Sequence, residues 1–515
     1  MLGRTALTHL EQPNILILAL GALVFALYLL SFHTWWRLRH IPGPALSWLG
    51  SSWLVRNAVS GATAPNSRDL ARYGSLVRIG PNAVATDDPE VVRRLSRPPY
   101  VRDPWNLGFR FDNGKDNIFT TLDVTLHDKV KAKTAYGMAG KDGVDLESGI
   151  DAQIGRLLGI IRSNHLTTIE QHRIMDLAPL IRFFTSDVFT SLFFGKEIGF
   201  MDADDLYGLA KLSDQVIALL SLISDLPWLR AVVQSRLLSF LQPRATDKVG
   251  IGKLQGVAKE IVEERFQKSA VDKQDILGSF MRNGLELEEC YRQGIAFLFA
   301  GGDTTASSLR GILMYTMTTP RVYQSLKQTI RRAVSDGNVS SPITIAQAKK
   351  LPYLSAVVYE GLRLRPAGTL GHPKVIPPEG DTIEGLFVPG KTTVYVNWIA
   401  MLQRKDAFGD DAALFRPERF LECSVEKKAE MERTAEMAFG VGRYQCSGKV
   451  IALSELYKVV FELFRHFDFQ VVDPGNPWEE RSWANWGHRR MMVRITEDSY
   501  VQTRSVVRQS DKYGD

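Results

Sequence analysis

Phe439-Gly440-Val441-Gly442-Arg443-Tyr444-Gln445-Cys446-Ser447-Gly448 is the stretch whose reading decides the fold. A single cysteine lies among glycines, seven residues after an aromatic and just before a helical pattern that starts near Lys449. Gly442 and Gly448 let backbone N–H groups approach a sulfur, and a helix start adds partial positive charge. Both favour thiolate over thiol, and Phe439 is placed to cover the sulfur. A lone thiolate with no Cys or His partner nearby is not a zinc site, which usually needs four ligands. It suits the axial ligand of a haem, whose porphyrin supplies the other four. Taken alone, Cys446 would more often be a small buried hydrophobe. The glycines do not make a dinucleotide loop, because Gln445 stands where G-x-G-x-x-G needs its third glycine.

Two further stretches bear on that choice. Phe299-Ala300-Gly301-Gly302-Asp303-Thr304-Thr305 lies inside a helical pattern from about 287 to 318. Adjacent glycines cost about 1 kcal/mol each in a helix, so the stretch predicts a local weakening or opening where a small ligand fits against backbone. Asp303 and Thr304, a carboxylate beside a hydroxyl, suit proton delivery. A packing kink between crossed helices is the plainer alternative. Glu360-Gly361-Leu362-Arg363 places opposite charges on one helix face. Its apolar surroundings (Leu354, Val357, Val358, Leu362) predict a buried pair rather than a surface one, and a buried pair needs a further partner. Arg419, in Pro417-Glu418-Arg419-Phe420, can supply it.

Ala300 to Thr305, Glu360-x-x-Arg363, Pro417 to Phe420 and Phe439-x-x-Gly442 with Cys446 and Gly448, in that order, resemble a cytochrome P450 over nearly the whole chain. Asp116-Asn117-Ile118-Phe119, Thr319 to Tyr323, Leu351-Pro352-Tyr353 and Gly442 to Cys446 resemble the fungal, pisatin-demethylase-like branch of secondary metabolism. The resemblance implies a mainly α fold with small β-sheets, and haem b with Cys446 as its iron ligand. It implies Thr304 with Asp303 in proton delivery, Ala300 and Gly301 lining the oxygen groove, and a structural triad of Glu360, Arg363 and Arg419. Tyr444 stands where the family often has a cation, so propionate binding falls to His127, Lys131, Lys374 and Tyr444. Lysine there lacks the bidentate fork of arginine.

The implied reaction is insertion of one oxygen atom from O2 into an apolar small molecule. Electrons come from NADPH through a flavin-containing reductase, which Lys129, Lys131, Lys133 and Lys449 would face. Dehydration, isomerisation or oxidative ring formation on the same fold, and a non-enzymatic haem-binding membrane protein, are the alternatives. Candidate pocket residues are Phe109, Phe111, Phe297, Leu370, His372, Trp483 and Trp486, each of which also suits ordinary core packing.

Composition agrees with a large globular body: 515 residues, 45% hydrophobic, 23% charged, net charge +6. No basic block marks a nucleic-acid partner, and three cysteines imply no disulfide framework. Residues 15–32 are uncharged and nearly all apolar; at 1.5 Å per residue they span about 27 Å, close to a bilayer core. Trp35 and Trp36 follow at the interface, then Arg37 and Arg39, which orient the body to the cytosol. A cleaved signal peptide fits less well, since Trp-Trp-Arg is no cleavage site. The expected organisation is a lumenal 1–14, an anchor at 15–32, an interfacial segment and Ile41-Pro42-Gly43-Pro44 hinge at 33–45, a catalytic body at 46–498 and a loose tail at 499–515, in the endoplasmic reticulum membrane. Asn338-Val339-Ser340 is a glycosylation sequon that a cytosolic body would leave inert. A hairpin is expected around Gly80-Pro81-Asn82, an irregular loop over 100–120, helices over 145–335, strands over 375–396, and strands again at 467–472 and 491–495.

Overall fold

The computed structural model describes residues 18–498, apart from 19–20, 23–24, 27–28, 49, 112–113, 204 and 269–271. Most of the anchor expected over 15–32, the segment 1–14 and the tail 499–515 therefore lie outside the described residues. The described positions between Leu29 and Arg37 are helical, and Leu29, Leu30 and Phe32 are exposed.

The molecule is built around one helix, Leu287–Thr318. Glu286 and Glu289 close its start as a reciprocal capping box. Its residues are buried on more than one face, as expected of a helix inside a large core. Its main neighbour is Leu177–Phe194, which ends at Gly195 in the left-handed conformation (φ 73°). That neighbour is long and apolar enough to cross a membrane, but it lies mostly buried within the protein. A Cβ on Gly294 would sit 2.7 Å from the Phe193 ring, and one on Gly302 2.8 Å from Ser186 Oγ. The glycines thus serve close helix–helix packing. The expected opening of the helix does not occur: it runs unbroken from 287 to 318.

Helices Pro352–Leu364 and Lys449–His466 pack on the central helix from other sides. Gly361 lies against Ile312, where a Cβ would meet Cγ1 at 2.2 Å. The resulting apolar core is continuous through these helices.

The sheets are peripheral. The expected hairpin pairs Leu76–Gly80 with Ala83–Thr86. Ala83–Thr86 runs parallel to Thr393–Asn397, which pairs antiparallel with Leu370–Val375, and that strand pairs with Val101–Arg102. A register irregularity falls between Gly371 and Lys374. Phe467–Val471 and Met492–Glu497 form the expected C-terminal pair. Glu479–Ser482 with Trp486–Arg489 is a further hairpin, missed because His488, Trp486 and the neighbouring charges do not alternate cleanly. The loop expected over 100–120 contains that short edge strand and a 3-10 turn, Pro104–Phe109, capped by Asp103.

The segment expected as a hinge is packed down. Leu38 and Ile41 are fully buried beside Leu76 and Val84. Arg78 donates to the carbonyls of Leu38 and Ile41 and to Ser47 Oγ. A Cβ on Gly43 would lie 2.1 Å from the Arg78 carbonyl oxygen, so only glycine lets the chain pass here.

Candidate haem site

The cysteine loop is held by its own backbone. Cys446 N–H donates to the Phe439 carbonyl at 2.7 Å. Gly440 and Gly442 take positive φ (72° and 63°), and a Cβ on Gly442 would press on the Ser96 carbonyl at 3.1 Å. Gly448 starts the following helix with an ordinary negative φ, and its N–H bonds toward the sulfur. Phe439 is half-buried against the main core. Burial nevertheless raises the Cys446 thiol above its ordinary range, and the opposing Gly448 N–H, Lys131 and Lys449 do not cancel it. The expected net preference for thiolate is thus reversed by desolvation in the protein alone. Cys446 still keeps accessible surface.

The central helix is not fully buried over one turn. Between the buried runs Ile295–Leu298 and Thr305–Met314, the positions Phe299, Ala300, Gly301, Asp303 and Thr304 keep accessible surface. Thr304 Oγ1 donates to the Ala300 carbonyl at 2.7 Å. Asp303 accepts from Arg182 Nε at 2.5 Å and is ion-paired to it. Arg182 was not anticipated, although it and Asp187 are the only charges in the apolar run 177–194. A charge in such a run needs a partner.

A second cluster surrounds Tyr444. The Arg102 guanidinium lies 4.4 Å from its ring centroid, Lys374 Nζ 4.7 Å, and the His127 ring 5.0 Å. Arg102 donates to the Ile118 carbonyl, and Lys374 to the His372 carbonyl. Lys131 donates to the Gln445 carbonyl at 2.9 Å and to the Arg443 carbonyl, so it ties the helix Val124–Met138 to the cysteine loop. Among the described residues none of these three cations forms an ion pair with a carboxylate. Burial lowers Lys374 to about 7 and Arg102 to about 10, with Arg102 adding to the effect on Lys374. Burial, then Arg102, lowers His127 to about 4, so it is neutral at pH 7 and supplies no charge. Tyr444 Oη is buried and has no hydrogen-bond partner among the described residues, an arrangement proteins rarely tolerate. Arg443 turns away to Asp128 at 3.1 Å.

These features fit a haem. Cys446 keeps accessible surface, the buried Arg102 and Lys374 and the half-buried Lys131 have no carboxylate partner among the described residues, and the Tyr444 hydroxyl sits near them, suited to an anionic group such as the propionates. Among the described residues no cluster of three metal-ligating side chains competes. Arg102 is the member that sequence reasoning missed. Its only signal is a lone arginine in a two-residue edge strand, and nothing local shows that it points inward.

Glu360 is fully buried between two arginines. Arg363 Nε and Nη2 reach its two oxygens at 2.8 Å, and Arg419 Nε reaches both at 3.0 and 3.1 Å. Arg363 also donates to the carbonyls of Leu402, Ala412 and Leu414, and Arg419 to Asp411 and Leu414. The Arg416 N–H adds a bond to Glu360. The group therefore fastens residues 402–419 to the helix Pro352–Leu364.

The aromatic candidates divide. Phe297 packs on Phe280 in the core. Trp483 and Trp486 are buried, their indole N–H groups donating to the carbonyls of Ala58 and Pro366. These three are core residues. Phe111 stacks on Phe299 at 4.7 Å, beside the accessible turn of the central helix. Phe109 packs on Trp105 and Phe119, Leu370 is buried in the same cluster, and His372 keeps partial exposure among Trp105, Phe119 and Trp398. Of the lysines expected to face a reductase, Lys131 is turned inward and Lys449 is paired with Glu436. Lys133 bonds the Gly284 carbonyl, and Lys129 is exposed and makes no such contact among the described residues.

The family model "Cytochrome P450" matches residues 112–491. A cytochrome P450 monooxygenase, aba1, of Botryotinia fuckeliana is 42% identical over 89% of this chain and 92% of its own length. ABA1 of Pyricularia oryzae, also a cytochrome P450 monooxygenase, is 39% identical over 90% of this chain and 93% of its own. Pisatin demethylase of Fusarium vanettenii is 29% identical over 87% and 86%.

Proposed function

The chain belongs to the cytochrome P450 family, whose members use haem and O2 with electrons from a redox partner, and from that premise we propose the following roles and substrate class. The enzyme is a haem monooxygenase of fungal secondary metabolism, and its substrate is an apolar small molecule taken through hydroxylation, epoxidation or successive oxidation. Bound haem supplies the one-electron and O2 chemistry. The protein's part is to hold the group, exclude water and move protons.

Cys446 is the iron ligand, and metal binding would take up the thiolate that burial alone disfavours. Arg102, Lys131, Lys374 and Tyr444 hold the propionates, and the triad keeps the segment before the cysteine loop in place. The Thr304 hydroxyl donates to Ala300 and so keeps oxygen lone pairs free to accept and pass on a proton. Asp303 stands next to it, held by Arg182. Phe111, Phe299, Phe109 and Leu370 provide apolar walls for the substrate.

The observation that carries this reading is the desolvated yet accessible Cys446 near three cations that have no carboxylate partner among the described residues. Reduced protein with carbon monoxide should show the red-shifted Soret band of thiolate ligation, and Cys446→Ala should abolish it. An unchanged band in the variant would rule the assignment out. Residues 15–32 anchor the chain in the endoplasmic reticulum membrane, where an NADPH-dependent reductase serves it. The length and apolarity of that segment support this. A chain starting at His33 should shift from the microsomal pellet toward the soluble fraction while keeping its haem spectrum; full retention in the pellet counts against a single anchor.

A further inference from the structure

His372 is placed unusually. It takes a left-handed backbone conformation (φ 51°) at the irregularity in the strand Leu370–Val375. Non-glycine residues adopt that region rarely, and such positions cluster where a side chain must be aimed. The Trp398 indole N–H donates to Nδ1 at 3.2 Å, which leaves the ring's single proton on Nε2. Burial, reinforced by Lys374 and Arg102, lowers its pKa to about 3, so the ring is a neutral donor at working pH. Trp105, Phe119 and Trp398 meet it edge-on, with ring centroids 5.7 to 6.0 Å away. Among the described residues Nε2–H has no protein acceptor. The ring keeps accessible surface although it is desolvated, as Cys446 does.

We infer that His372 is the specificity-determining donor of the substrate chamber, its Nε2–H reading an acceptor oxygen (carbonyl, ether or hydroxyl) on an otherwise apolar substrate. The inference rests on the monooxygenase reading and adds to it the substrate's polar feature. A site that offers a fixed donor penalises a ligand lacking the acceptor, because the donor is then left unpaired. Trp398 is a positioning residue: without its N–H, the other tautomer competes and the donor is lost part of the time.

The test uses the full-length holoenzyme and two fragments of matched shape, cyclohexanone and methylenecyclohexane. Their affinities are measured by calorimetry and by the Soret shift. The ketone-to-alkene affinity ratio should fall about five- to tenfold in His372→Leu, the scale of one hydrogen bond, and less than twofold in His372→Gln. Both variants meet the same left-handed backbone, so strain cancels between them. Trp398→Phe should lower the ratio by about half as much on a logarithmic scale. An unchanged ratio in His372→Leu, or no binding of either fragment to the wild type, overturns the inference. Faster haem transfer to apomyoglobin from His372→Leu with an unchanged ratio also overturns it, assigning the donor to a propionate instead. The carbon monoxide band of the wild type is recorded first; its absence overturns the monooxygenase reading, and this inference with it.

Discussion

Tyr444 occupies a place where charge converges without being charged itself. Arg102 and Lys374 lie close to its ring, and its own hydroxyl has no partner among the described residues. An aromatic face attracts cations, so the ring can hold two positive groups near one another when no anion is there to separate them. Arg102 is the most consequential of the group, because its five donors suit a carboxylate and its charge persists when buried. We predict that Arg102→Ala loses haem to apomyoglobin at least about tenfold faster than wild type, close to 1.4 kcal/mol. Tyr444→Phe, which removes one hydrogen bond, should change the rate about two- to fivefold. Equal rates in all three proteins would exclude both residues from the propionate site. Arg102 was not legible in the sequence. Inward orientation in a two-residue strand depends on the strand it pairs with, Leu370–Val375, which lies far along the chain.

The helix Pro352–Leu364 illustrates how an element becomes a fastening. Its Glu360–Arg363 spacing and apolar face are visible in sequence, and so is the need for another partner. The structure adds that the two arginines also collect backbone carbonyls from Leu402 to Leu414. These carbonyls could not be identified beforehand, because they belong to irregular backbone with no periodicity. Glu360→Gln should leave two buried arginines facing a neutral group. Breaking a buried pair typically costs about 3–5 kcal/mol. The variant should therefore unfold at lower denaturant and show poor haem incorporation. A midpoint within experimental error of wild type would mean that the carbonyls alone suffice. The central helix gives the opposite lesson: its glycines suggested an opened helix, but its hydrogen bonds stay intact. The side chains missing at Gly294 and Gly302 make room for Phe193 and Ser186 of the neighbouring helix, a contact that propensity cannot foresee.

At the scale of the molecule, one carboxyl joins the helical body to the sheet. Asp225, at the end of the helix Leu209–Asp225, accepts from Trp105 Nε1 at 2.8 Å and from Tyr395 Oη at 3.2 Å. Trp105 follows the edge strand Val101–Arg102, and Tyr395 lies on Thr393–Asn397. Burial raises Asp225 to about 7, more than the two hydrogen bonds lower it. The sign follows from proton counting. Between about pH 4 and 7 the native state keeps a proton that the unfolded chain has released, so stability falls as pH rises through that window and levels off above it. The loss should be on the order of 2 kcal/mol after relaxation of the site. Wild type should lose several degrees in Tm between pH 5 and 8, and Asp225→Asn markedly less. Parallel pH profiles in the two proteins would show that Asp225 does not carry the effect. Hydrogen exchange of residues 209–225 should rise with the same pH dependence, after correction for intrinsic exchange rates.

The sequence by itself determined the family, the iron-ligand candidate, the extent of the central helix and the buried ion pair. These rest on local spacing: a cysteine among glycines, a helical period, and charges three residues apart in apolar surroundings. Only the tertiary structure decided which cations converge on Tyr444, that Lys131 turns inward while Arg443 turns out, and that Asp303 is held by Arg182. It also decided that Phe297, Trp483 and Trp486 are core while His372 keeps accessible surface. The physical reason is that direction and desolvation are set by neighbours distant in sequence. A residue's type limits what it can bond to, but only packing decides which partner it meets and how much water it loses.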